Sequence, residues 1–159
     1  MTTLEDQVLK YLDGELSPQQ LERWCVRTRA FETLFGEEGH TKLLTLGAAQ
    51  QEEAIWSKLR ELLADRLPAE ALRERARRVC EGLLDGSVDL VNGVRKMWVL
   101  RQGDVEAWAR IDRALGSVPA PEQYALWGPA ALAEKLKKLE AQRETVRSLA
   151  ADFNARQAV

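Results

Sequence analysis

The sequence predicts an all-α fold on three grounds. Leu, Ala, Arg and Glu dominate it, residues that lose little side-chain freedom in a helix. β-branched residues are few, and no stretch alternates apolar and polar positions as a half-buried strand does. Apolar residues recur instead at three- and four-residue spacing between glycine, proline and capping signals. With 159 residues, 45% hydrophobic and 30% charged, the chain falls in the globular range and can bury a core without metal or disulfide. The expectation is a single compact bundle over 1–159, of about seven or eight helices with a long C-terminal one, and with 1–67 and 68–159 as candidate halves.

The elements follow from local chemistry. Thr3 caps a first helix, Asp6 answers the cap, Leu4, Val8 and Leu12 share one face, and Gly14 closes it. Ser17-Pro18-Gln19-Gln20 opens a second helix with a cap, a first-turn proline and a capping-box glutamine. That helix is expected to carry Leu21, Trp24, Cys25, Thr28, Phe31, Leu34 and Phe35, with Gly36 to His40 as the next break. Thr41 to Leu67 reads as helical, broken near Gly47, with Ile55, Trp56, Leu59, Leu62 and Leu63 as its stripe.

Pro68 opens a helix that turns Leu72, Ala76, Val79, Cys80 and Leu83 inward and stops at Gly86. Ser87 or Asp89 caps the next, which presents Val91, Val94, Met97, Trp98 and Leu100. Asp104 starts a shorter helix with Val105, Trp108, Ile111 and Leu115, ended by Gly116. Ser117 to Gly128 is irregular, with Pro119, Pro121, Tyr124 and Trp127, and Pro129 begins a last helix that runs toward Phe153. The turns Leu12-Asp13-Gly14 and Leu84-Asp85-Gly86 repeat one stop-and-cap chemistry; convergent turn rules are the first reading and an ancient duplication the second.

Function is read largely through what the pattern excludes. Twenty-three basic and 25 acidic residues nearly cancel, so no basic excess marks a nucleic-acid binder. The run Arg73, Arg75, Arg77 and Arg78 is interleaved with Glu70, Glu74 and Glu81 and reads as a salt-laced solvated face. The first residues carry Glu5 and Asp6 and no apolar stretch, so no signal peptide is expected. The longest purely apolar run, Met97 to Leu100, is far too short to cross a bilayer. Cys25 and Cys80 read as buried, reduced thiols of a cytoplasmic protein.

His40 is the single histidine, beside Glu37, Glu38 and Gly39, and is expected in a solvated loop; metal sites need three or four convergent ligands. Neither cysteine has a base and orienting group in its context, and no phosphate-binding glycine loop occurs. No catalytic, cofactor or metal site is expected.

Trp24, Trp56, Trp98 and Trp108 lie on or beside apolar stripes and read as core anchors. Trp127 is either a plug that fixes the irregular segment or an exposed interface anchor. In the terminal helix Leu132, Leu136, Leu139, Arg143, Val146, Ala150 and Phe153 form a short heptad seam, interrupted by Arg143 and weakened by Ala150. Packing on the chain's own bundle is the first reading of that seam, and a homodimer through the helix is the second. Tyr124, Trp127, Arg95 and Arg143 are the candidate protein-contact residues.

Gly93-Val94-Arg95-Lys96-Met97, then Ile111-Asp112, Val118-Pro119 and Trp127-Gly128-Pro129-Ala130-Ala131-Leu132 resemble a family of uncharacterised small bacterial helical proteins. That family carries a Gly-x-Arg helix, an Ile-x-Ser-Glu-Thr-Asp-x-Leu-Pro loop and a Trp leading into an Ala-Leu helix. Here Arg113, Ala114, Leu115 and Gly116 stand in place of its Ser-Glu-Thr-Asp, so no role for those polar residues carries over. Leu9 through Trp24, with Tyr11-Leu12-Asp13-Gly14-Glu15-Leu16-Ser17, resembles the opening of several small bacterial helical proteins, some of them immunity-type. A compact bundle with an aromatic-bearing loop and no chemistry of its own is expected to be a non-enzymatic protein-binding module, and the immunity-type resemblance implies, as its most specific version, an inhibitor that occludes a bacterial toxin. A self-associating structural or regulatory subunit and an enzyme of unrecognised type are the alternatives.

Overall fold

A computed structural model describes residues 3–157 and contains helices and turns without a strand among them. Eight α-helices are present among the described residues: α1 (Leu4–Leu12), α2 (Pro18–Arg27), α3 (Ala30–Leu44), α4 (Ala48–Arg66), α5 (Ala69–Asp85), α6 (Leu90–Leu100), α7 (Val105–Ala114) and α8 (Pro129–Gln157). A 3₁₀ turn, Pro121–Leu126, lies in the segment expected to be irregular. The chain divides into two compact units, Met1–Leu67 and Pro68–Val159.

The first unit is opened by the capping chemistry visible in its sequence. The Thr3 hydroxyl accepts from the Asp6 N–H at 3.2 Å while the Asp6 carboxylate accepts from the Thr3 N–H at 3.1 Å. Ser17 and Gln20 repeat the exchange at the start of α2. Each pair satisfies two donors that a helix start otherwise leaves open. Val8, Tyr11 and Leu12 of α1, Leu21 and Cys25 of α2, and Trp56, Leu59 and Leu63 of α4 form the core. Within it the Tyr11 and Trp56 rings meet tilted, 5.1 Å between centroids, an arrangement favoured by ring quadrupoles.

Two expectations in this unit are corrected. The second helix does not reach Phe35: it ends at Arg27, and Arg29 turns into the left-handed region with φ 57 and ψ 28. The Thr28 hydroxyl donates to the Trp24 carbonyl at 2.8 Å, a local bond that competes with the helical ladder. Nor is Gly36 to His40 a break of five residues. Gly36 alone leaves the helical region, at φ 76 and ψ 168, a conformation essentially closed to side chains. The helix resumes at once and carries His40 on it.

In the second unit α8 packs most extensively on α5, and α6 packs on both α5 and α7. Leu72, Ala76, Val79 and Leu83 of α5, Val94 and Met97 of α6, Trp108 and Ile111 of α7, and Leu139, Val146, Ala150 and Phe153 of α8 are buried. The Cys80 thiol donates weakly to the Met97 sulfur at 3.7 Å. Gly86 stops α5 in the left-handed region, and Asp89, not Ser87, caps α6.

α6 approaches α5 closely because Gly93 has no side chain, and the turn between them folds back onto α5 because Gly82 has none. A Cβ on Gly93 would press into Leu83, and one on Gly82 into Val88. The heptad seam of α8 is thus spent largely within its own unit: positions from Leu139 to Phe153 are buried apart from Arg143, while Leu132 and Leu136 stay half-buried. No helix of the described residues is long and apolar enough to cross a membrane.

Candidate functional site

The segment between α7 and α8 is held down by small residues. Leu115, Val118 and Ala120 are buried and anchor the chain as it leaves α7. Trp127 is not the plug; it is 37% exposed, and Leu126 before it is 83% exposed. Val118 and Ala120 are the buried residues of the segment, and the following 3₁₀ turn leaves Leu126 and Trp127 exposed. The Trp127 N–H donates to the Tyr124 carbonyl at 3.2 Å, and the Lys135 ammonium stands 5.8 Å from the indole centre, within cation–π range.

Charged and polar groups tie this turn to α6. Asp89 accepts from the Asn92 backbone N–H at 3.0 Å and from its side-chain amide at 2.7 Å, and that amide also reaches Glu122 at 3.5 Å. Tyr124 is half-buried; burial first, then the carboxylates of Asp89 and Glu122, push its hydroxyl above the usual phenol range, against the pull of Arg143. Arg143 grips Glu140 through Nε and Nη2, at 3.0 and 2.7 Å. That fork holds the Glu140 carboxyl below the ordinary carboxylate range and raises Arg143.

Of the four residues expected to touch a partner, Tyr124, Trp127 and Arg143 therefore belong to one neighbourhood. Arg95 has another role. Its Nε lies 3.0 Å from Asp112 on α7, and its guanidinium stands 5.2 Å from the Trp98 ring centre. The two side chains are only 24% and 15% exposed, so Arg95 serves chiefly to join α6 to α7.

The first unit contains a feature that the sequence reading missed: a groove of about 580 Å³ between α2, α3 and α4. Cys25, Val26, Phe31, Leu43, Leu44 and Ile55 line it, with Glu22, Arg29, Glu32, His40, Gln51 and Glu52 around them. Val26 and Leu44 are 67% and 65% exposed, among the most exposed large apolar side chains of the described residues. His40 is accordingly not in a solvated loop; it is half-buried on α3, its Nδ1 4.0 Å from Glu32. A signal for the groove existed. Val26 sits off the Leu21–Cys25 stripe, and only one of the adjacent Leu43 and Leu44 can face inward on a helix.

The remaining sequence candidates are structural in character. Arg77 bonds Glu74 and Glu81 at 2.9 Å each, and Arg78 approaches Glu74 at 3.4 Å, giving the salt-laced face expected of this run. Burial pushes the Cys80 thiol up to about 12. Burial and the nearby Glu22 carboxylate push Cys25 up to about 12 as well. Trp24 and Trp98 are half-buried, whereas Trp56 and Trp108 are fully enclosed. No three of the described His, Cys, Asp and Glu residues come together as a metal-holding group.

No family model matches this chain, and no curated protein or solved structure proved similar to it.

Proposed function

We propose that the chain is a non-enzymatic protein-binding module whose contact surface centres on Leu126 and Trp127. The carrying observation is that two adjacent large apolar residues, Leu126 at 83% and Trp127 at 37%, are exposed at the end of the 3₁₀ turn. Tryptophan, tyrosine and arginine are the side chains that most often dominate binding energy; Trp127 bonds the Tyr124 backbone, and Tyr124 in turn feels the charge of Arg143. Tyr124 lends an amphipathic ring, and the Arg143–Glu140 fork offers a pre-ordered polar rim. Removing one such anchor from a partnered interface typically costs about 2–4 kcal/mol of binding.

The most specific version of this reading is an immunity-like inhibitor acting in the bacterial cytoplasm, where buried thiols such as Cys25 and Cys80 stay reduced. A turn that projects an aromatic and a leucine suits insertion into a concave working face, which it would occlude. The near balance of charge gives no reason to expect a strongly basic partner at this surface.

The experiment is affinity capture from source cells with the natural chain and with Leu126→Asp. A partner retained by the first and lost by the second, at unchanged helix content and Tm, supports the reading. Suppression of that partner's toxicity by the natural chain, and not by the variant, supports the inhibitor version. Recovery of the chain's own copies alone sinks both and favours self-association through the half-buried Leu132 and Leu136 of α8.

A further inference from the structure

The groove of the first unit carries features that would select an occupant. Its floor is the apolar side of α2, α3 and α4, through Cys25, Phe31, Leu43 and Ile55. Val26 and Leu44 extend that apolar surface outward from the hollow and are two-thirds exposed. An apolar surface continuing beyond the hollow suits an extended ridge of side chains better than a small molecule enclosed on all sides.

Charge narrows the choice further. Each wall helix contributes one carboxylate to the rim, Glu22 from α2, Glu32 from α3 and Glu52 from α4, against the permanent cation of Arg29. The backbone at the corner is also unusual: Arg29 holds a left-handed φ of 57 between α2 and α3, a conformation that costs a non-glycine residue free energy and turns the chain sharply at the groove.

We propose that this groove receives the apolar face of a basic amphipathic helix from another protein. Leucine-sized side chains at i, i+3 or i+4 and i+7 enter between Val26 and Leu44, and lysines or arginines on the flanks meet the three carboxylates. The rim's three carboxylates against one arginine favour such a basic helix over a second copy, which would bring the same acidic rim to the contact.

The test uses the full chain and two fluorescent 18-residue peptides with the same leucine spacing, one filled with lysine and one with glutamate. The lysine peptide is expected to bind one-to-one, at least tenfold tighter than the glutamate peptide. Binding weakens several-fold between low and high salt, and at least tenfold on Leu44→Asp or Val26→Asp. Both positions are exposed, so circular dichroism and Tm should stay unchanged; if either variant loses helix, Glu32→Lys with Glu52→Lys reads the rim charge alone. Leu126→Asp leaves peptide binding as it is, which separates this surface from the one proposed above. Equal binding of both peptides overturns the proposal, as does lysine-peptide binding indifferent to every groove variant. Sedimentation showing a dimer that Leu44→Asp dissociates overturns it in favour of a second copy, and a neutral apolar dye that fills the groove while the lysine peptide still binds overturns it in favour of a small ligand.

Discussion

The Nε of Arg95 lies 3.0 Å from the Asp112 carboxylate, bridging α6 and α7 where both side chains are mostly shielded from water. An ion pair so placed is worth more than an exposed one, and removing one partner strands the other in a half-buried setting. Asp112→Ala should therefore lower unfolding stability by about 2 kcal/mol, the range for a hydrogen bond to a charged group. A double-mutant cycle with Arg95→Ala, read by urea melts, should return a coupling well above zero. Additive losses would show that the pair contributes nothing of its own.

The close approach of the α5–α6 turn to α5 makes a reversible prediction. A Cβ on Gly82 would fall on the Val88 side chain, and valine, branched at Cβ, cannot easily turn away. Gly82→Ala should cost about 1–3 kcal/mol through overpacking. With Val88→Ala already present the same change should turn neutral or favourable, since alanine is the better helix former by about 1 kcal/mol. Equal losses in both backgrounds would refute the steric account.

Acid should weaken the fold. Backbone and side-chain hydrogen bonds from Thr3 hold Asp6 below the usual carboxylate range, and Ser87 does the same for Asp85. Hydrogen bonds from Arg77 lower Glu74 in the same sense. A depressed folded pKa means that the stabilisation is present above the unfolded value, about 4, and disappears as pH falls through the lower folded value. Urea midpoints should drop between pH 5 and pH 3, with a shallower drop for Asp6→Asn. The groups are exposed, so the whole effect is small; a midpoint that rises on acidification would reverse the sign argued here.

The thiols should be inert in the folded chain. With Cys25 and Cys80 both pushed up to about 12 and buried, almost no thiolate exists at pH 8 to attack a disulfide reagent. Ellman titration should count none in buffer and two in guanidinium chloride. Rapid native reaction of Cys25, which lines the groove, would show that the first unit opens readily.

How much of this could be read in advance depended on whether the determining chemistry was local. The caps of Thr3, Ser17, Asp89 and Asp104 and the glycine stop at Gly86 are settled by neighbouring atoms, and the structure places each helix end there. Arg29 was illegible, because nothing in Thr28-Arg29-Ala30 advertises a left-handed turn as a glycine would. Once α2 and α3 separate there, the phase of each helix changes, and with it which of Val26, Leu43 and Leu44 meets solvent. The exposure of Trp127 was equally hidden, since Val118 and Ala120, not the larger indole, are the residues of that segment that become buried. Tertiary competition for space leaves no mark in a stripe of apolar letters.

The pairing of α5 with α8 also sets a timetable. A ribosome releases α5 first among the helices of its unit and α8 last, so Leu72, Ala76, Val79 and Leu83 must wait for a partner that has yet to be made. The hairpin of α5 and α6 closes over a few residues and can form early, whereas seating α8 requires closing a far longer loop. A nascent chain stopped before Leu139 should accordingly recruit holding chaperones that a chain continued past Phe153 no longer needs, and stop codons between Leu139 and Phe153 should be damaging through the loss of this core.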